Sequence, residues 1–160
     1  MKALVVYDSF FGNTEQIARA VGEALQSAGD VEVRRVTDVT PDQLAGFDLV
    51  IVGSPTRAFR PSPNTKAFLD AIPAEGLRGI KVAAFDTRIA PEDVKSGGGV
   101  LKFFAKMFGY AADPMAKKLQ QKGGTLVAQP EGFYVLDSEG PLRDGELDRA
   151  ADWARHIAAA

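Results

Sequence analysis

Apolar runs of strand length alternate with stretches of helical period along the whole chain. Ala3-Leu4-Val5-Val6-Tyr7 predicts a first strand. Ile17, Val21, Ala24, Leu25 and Ala28 then follow helical spacing up to Gly29-Asp30. Val31 to Val36 alternates and predicts a second strand. Thr40-Pro41-Asp42-Gln43 has the form of a capping box with proline at the first helical position, and Gly46 stops the short helix it opens. Leu49-Val50-Ile51-Val52 does not alternate, so this third strand is expected to be covered on both faces. Ser62-Pro63 opens a helix carrying Ala67, Phe68, Ala71 and Ile72, and Ile80 to Phe85 predicts a fourth strand. Helical pattern resumes over Val100 to Phe108 and Met115 to Lys122, interrupted at Pro114. Thr125 to Ala128 predicts a fifth strand, which Phe133 to Leu136 either extends or flanks as an edge strand. From about Asp144 a last helix is expected to turn Leu147, Ala150, Trp153 and Ile157 inward.

Five strands alternating with helices predict an α/β fold: a doubly wound, five-stranded parallel sheet in a single domain spanning residues 1–160. Such sheets bind ligands beyond the carboxyl ends of their strands, near the point where strand order reverses. Three loops leave carboxyl ends here: Ser9 to Thr14, Ser54 to Ser62 and Asp86 to Gly99.

Composition narrows the chemistry. There is no cysteine, so any redox function must come from a cofactor rather than from thiols. A formal net charge of −2 argues against nucleic acid as a partner. No apolar run approaches the ~18 residues of a membrane span, and the chain opens directly into a strand, so a cytoplasmic location is expected. His156 is the only histidine and sits on the last helix, so no catalytic triad and no metal cluster is predicted.

The first loop offers hydroxyls at Ser9 and Thr14 and an amide at Asn13, and Gly12 lets the backbone come close to a ligand. No lysine or arginine lies within it. Neutral donors at a helix N-terminus suit a phosphate that is held rather than transferred. The same residues would also serve simply to start the helix. Neither G-x-x-x-x-G-K-[ST] nor G-x-G-x-x-G follows the first strand, which disfavours a nucleotide hydrolase and a dinucleotide site.

Tyr7-Asp8-Ser9-Phe10-Phe11-Gly12-Asn13-Thr14-Glu15 resembles the FMN-phosphate loop of the flavodoxin family, whose usual pattern is [ST]-x-[ST]-G-x-[ST]. Gly53-Ser54-Pro55-Thr56-Arg57 resembles that family's second flavin loop. The resemblance implies strand order 2-1-3-4-5 and non-covalent FMN. It further implies that Ser9, Gly12, Asn13 and Thr14 hold the phosphate. Phe11 stands where a hydroxyl residue is common, which removes one donor. Ser54, Pro55, Thr56, Arg57, Ala58 and Phe59 would flank the flavin ring, with Arg57 or Phe59 stacking on it. The resemblance would put Ala58 where glycine is usual in the family, at a peptide that in family members flips on flavin reduction. Asp86, Thr87 and Arg88 would form the third loop of the site, without the tyrosine that commonly covers the outer flavin face. That face is expected to be open or covered by Ile89, and Arg88 is expected either to favour the reduced flavin anion by Coulomb attraction or to pair with Asp86 or Glu92 on the surface.

The function implied is that of an FMN-binding electron-transfer protein shuttling electrons between a reductase and an acceptor enzyme, with no catalytic side chain of its own. Two other readings remain open: an FMN-dependent NAD(P)H:quinone oxidoreductase, and a flavin-free binding module on the same fold. The expected partner is a redox protein, with no nucleic acid and no membrane, and the chain is expected to be a monomer or weak dimer. Phe103, Phe104, Met107, Phe108 and Tyr110 crowd one segment. Phe104 and Phe108 suit core packing there, while Phe103 or Tyr110 would mark a contact surface.

Overall fold

The computed structural model describes residues 1–90 and 110–160. The central sheet is parallel, in the order β2-β1-β3-β4-β5. Its strands are β1 (Lys2–Tyr7), β2 (Asp30–Arg35), β3 (Leu49–Pro55), β4 (Lys81–Ile89) and the two-residue β5 (Thr125–Leu126). A further strand, β6 (Glu131–Val135), also pairs with β4 in parallel. β5 lies beside Lys81 and Val82, and β6 beside Phe85 to Ile89. The fifth strand of the sequence pattern is therefore one edge position filled by two short pieces. Pro130, which has no N–H to give to the ladder, stands between them.

The helices are α1 (Asn13–Leu25), α2 (Pro63–Ala71), α3 (Ala112–Gln121) and α4 (Glu146–Ala158). Strand residues alternate between two cores, one on each face. Leu4 and Val6 of β1 join Val50, Val52, Val82, Phe68, Leu69, Met115 and Leu119 under α2 and α3. Ala3, Val5 and Tyr7 join Ile51, Phe85, Phe133, Ile17, Val21 and Ala154 under α1 and α4. Covering both faces explains why β1 and β3 read as unbroken apolar runs. Phe85, Phe133 and Trp153 meet edge to face with centroids 5.9–6.0 Å apart, so Trp153, partly buried, packs against the core.

Several inward faces differ from the pattern. Ala28 is exposed because α1 gives way to a 3-10 turn at Gln26–Ala28. In α2 the buried positions are Thr65, Phe68 and Leu69, and Ala67 and Ala71 face solvent. Thr65 goes inward because its hydroxyl lies 2.8 Å from that of Ser62. Leu147 is 44% exposed, and Glu146 takes the inward place at the start of α4. The stretch that Pro114 is expected to separate from residues 115–122 lies outside the described residues, and α3 begins at Ala112. Pro114 sits in the first turn, where a missing N–H leaves no intrahelical bond unmade. Thr40 and Gln43 do form the capping box, opening a 3-10 helix at Pro41–Gly46. The predicted helix over Val100 to Phe108, with Phe103, Phe104, Met107 and Phe108, lies outside the described residues.

Candidate functional site

The three strand-end loops converge at the carboxyl edge of β1, β3 and β4 around a cavity of about 420 Å³. Its base is the N-terminus of α1. Gly12 there adopts φ 92°, a left-handed conformation that glycine takes without strain, and no described side chain caps the helix. Gln16 N–H donates to the Gly12 carbonyl at 3.1 Å, the first bond of the helical ladder. The N–H groups of Asn13, Thr14 and Glu15 precede that ladder and have no intrahelical acceptor. The Ser9 hydroxyl accepts from Gly12 N–H at 3.0 Å and keeps its own proton to donate. These donors, with the positive end of the helix dipole, fit a phosphate group.

Two predicted donors are partly spent. Thr14 and Thr87, buried and 73 residues apart in sequence, share a hydrogen bond of 2.8 Å between their hydroxyls. Whichever hydroxyl donates, the other keeps a proton for a ligand. Asn13 Nδ2 donates to the Glu139 carbonyl at 3.1 Å, which draws the segment after β6 against the start of α1. That segment adds Val135, Ser138 and Glu139 to the cavity wall. None of the three was a sequence candidate, although the polar turn Asp137-Ser138-Glu139-Gly140 after a strand was the available signal.

A buried hydrogen-bond chain fixes the first loop to the second. Asp8, 4% exposed, accepts from the Ser62 hydroxyl at 2.6 Å and from Ser9 N–H at 2.9 Å. Ser62 N–H donates to the Ser54 hydroxyl at 2.9 Å. Ser54 is fully buried in this chain of bonds and does not line the cavity, whereas Pro55, Thr56 and Arg57 do. Gly53 is held to glycine by packing: a Cβ there would penetrate the ring of Phe85.

Arg57 and Arg60 exchange two backbone hydrogen bonds of 2.9 Å, closing a two-residue turn. Ala58 and Phe59 are its central residues, at φ 49° and 66°. Positive φ at both positions is the geometry for which Asn-Gly is preferred. Each non-glycine residue held left-handed costs roughly 1–2 kcal/mol. Both side chains lie outside the cavity lining. Arg57 instead stacks on Phe10 of the first loop, its guanidinium carbon 4.9 Å from the ring centroid. Phe10 and Phe11, 47% and 48% exposed, form the cavity mouth.

On the third loop, Thr87, Arg88 and Ile89 line the cavity and Asp86 lies fully buried behind them. Arg88 makes a bidentate pair with Asp86, and its guanidinium carbon is 3.9 Å from the Tyr110 ring centroid. The charge expected to act on a flavin is thus already matched by a carboxylate two residues away. Burial pushes the Asp86 carboxyl up, against the pull of Arg88 and of the Ala112 N–H. Desolvation would lower the Arg88 guanidinium, but its bonds to Asp86 outweigh this and raise it.

The family model described as Flavodoxin domain matches residues 4–136. The chain belongs to the flavodoxin family. Members of the flavodoxin family bind flavin. A flavodoxin of Maridesulfovibrio salexigens is 30% identical over 162 residues, covering 98% of this chain and 97% of that relative. A solved flavodoxin structure from the domain Archaea has 27% identity and a TM-score of 0.77, covering 99% of this chain and 97% of that one. A protein of Cupriavidus metallidurans described as NAD(P)H dehydrogenase (quinone) is 33% identical over 100 residues. That match covers 49% of this chain and 50% of the relative, so the chain spans about half the length of that relative. The flavodoxin order β2-β1-β3-β4-β5 puts all three cavity loops on one edge, beside the switch point between β1 and β3.

Proposed function

We propose that this flavodoxin-family chain binds FMN in the cavity and carries electrons between a reductase and an acceptor enzyme. The observation that carries the reading is the convergence of three strand-end loops on one cavity whose base is the uncapped start of α1. Bound FMN would supply reversible electron uptake. The chain's own residues bind and orient. Ser9, the first N–H groups of α1 and the remaining proton of the Thr14–Thr87 pair are the phosphate donors. Phe10, Ile89 and Val135 supply apolar wall for an aromatic ring system. The Asp8–Ser62–Ser54 chain keeps the first two loops at a fixed separation. The exposure of Phe10 and Phe11 at the cavity mouth supports a partner protein meeting the cofactor edge there.

Titration of the purified protein with FMN tests this. The expected result is saturable quenching of flavin fluorescence at one FMN per chain, with reversible bleaching of the visible bands on chemical reduction. Protein that leaves FMN fluorescence unchanged sinks the reading. The partial match to the quinone dehydrogenase favours a second reading, an FMN-dependent NAD(P)H:quinone oxidoreductase. Steady NAD(P)H oxidation with a quinone, in the absence of any reductase, would select it over the carrier.

A further inference from the structure

We propose that Arg35 is the positioning residue that makes the α1 loop acceptable to a phosphate dianion; the assignment rests on the flavin reading above. A phosphate monoester carries about 1.5 to 2 negative charges at neutral pH. The loop that is to hold it has a carboxylate at each end, Asp8 and Glu15. Asp8 is almost fully buried, so its charge is poorly screened by water. Left alone, both would repel the dianion.

Arg35 ends β2 and stands in register with Tyr7 of β1, one residue before Asp8. Its guanidinium reaches under the loop. Nη1 donates to the Ser9 carbonyl at 3.0 Å and lies 3.5 Å from Asp8 Oδ1. Nη2 lies 3.6 Å from Glu15 Oε1, and the guanidinium carbon is 5.2 Å from the Tyr7 ring centroid. One cation therefore touches both carboxylates and the loop backbone. It also engages the Ser9 carbonyl, an oxygen that would oppose an anion if turned toward it.

The two carboxylates depend on Arg35 unequally. Glu15 also pairs with Arg19 at 2.7 Å. Its carboxyl is held low by that hydrogen bond, against desolvation, with Tyr7 and Arg35 helping. Asp8 has otherwise only neutral donors, Ser62 and the Ser9 N–H, among the described residues. Arg35 is thus the cation that balances Asp8. Nothing in the loop itself announces this, because the charge arrives from the neighbouring strand.

Riboflavin, which has the ring system of FMN but no phosphate, separates this role from a merely structural one. Dissociation constants of FMN and riboflavin are measured for the wild type, Arg35→Met and Arg35→Lys, with far-UV circular dichroism to establish folding. Arg35→Met is expected to weaken FMN on the order of tenfold and to leave riboflavin within about twofold, the size of effect one partly exposed charge delivers at this range. Arg35→Lys is expected to restore most of the preference for FMN. Adding Asp8→Asn to Arg35→Met is expected to recover part of it, since the unbalanced charge is then gone. Should Arg35→Met fail to fold, Arg35→Gln replaces it, keeping an N–H donor for the Ser9 carbonyl. Equal weakening of both flavins, or unchanged FMN affinity in a folded variant, overturns the assignment. A wild type that takes up riboflavin and FMN alike overturns it without touching the flavin reading, whereas one that takes up neither overturns both.

Discussion

The Arg88 guanidinium forks onto the Asp86 carboxylate, with Nε 2.6 Å from Oδ1 and Nη2 2.7 Å from Oδ2. The two residues lie two apart on β4 and so share one face of the sheet. Asp86 is fully buried, and its second oxygen also accepts from Ala112 N–H at 2.8 Å, which satisfies the start of α3. The pair thus links the cavity wall to the sheet and to a helix.

Breaking this pair from one side should be costly. Arg88→Ala leaves a buried carboxylate without its cation, and the expected loss of stability is about 3–5 kcal/mol. The double variant Asp86→Asn with Arg88→Met removes both charges and should recover more than half of that loss. Urea unfolding midpoints check both values. A single variant that loses under about 1 kcal/mol would show that the pair is not a buried one.

Gly53→Ala should destabilise by roughly 1–3 kcal/mol, because the new methyl group meets the Phe85 ring. That ring cannot step aside easily, since Phe133 and Trp153 pack against its edges. Combining Gly53→Ala with Phe85→Leu should relieve part of the clash. Thermal unfolding of the two variants measures the difference, and an unchanged midpoint for Gly53→Ala would contradict the packing argument.

Ala58→Gly should act in the opposite direction. It removes left-handed strain at φ 49° but increases the freedom of the unfolded chain. The net expected gain is about 0.5–1 kcal/mol, seen as a melting temperature higher by roughly 1–4 °C. A lower melting temperature would mean that the Ala58 methyl makes contacts worth more than the strain.

Glu146 should contribute a pH-dependent part of the stability. Burial pushes its carboxyl up, but the Arg149 guanidinium and the Tyr134 N–H outweigh burial and hold it below its ordinary value of 4.5. The bonds are 2.9 and 2.7 Å to Arg149 and 2.7 Å from Tyr134 N–H. A lowered carboxylate stabilises the fold above its unfolded value, and that stabilisation is lost as pH falls through the folded value. The stability difference between wild type and Glu146→Gln should be about 1–2 kcal/mol at pH 7 and shrink as pH drops below 4.5. Denaturant unfolding at several pH values tests this, and a gap that stays constant down to acid would rule it out.

Among the described residues, the order of elements, the two covered sheet faces and the strand-end positions that meet at the cavity were legible in the sequence. They depend on local periodicity, on capping residues such as Thr40 and Ser62, and on the position of loops after strands. Exposed and buried helix faces were read less well, because Ala28, Ala67, Ala71 and Leu147 are apolar enough to face either way. Within the site, the sequence identified ten of the cavity-lining residues, from Ser9 to Ile89, and offered Asp86 as a partner for Arg88, but not the partners of the others.

Those partners were decided only in three dimensions. Thr14 meets Thr87 across 73 residues, Asp8 meets Ser62 across 54, and Asn13 meets Glu139 across 126. Arg35 reaches the first loop because β2 lies beside β1 in the sheet. The sequence determined which segments become strands and helices, since periodicity is a property of neighbouring residues. Which hydroxyls are spent, which charges are balanced and which donors stay available to a ligand depend on contacts between distant segments. Such contacts exist only once the sheet order has brought the strand ends together.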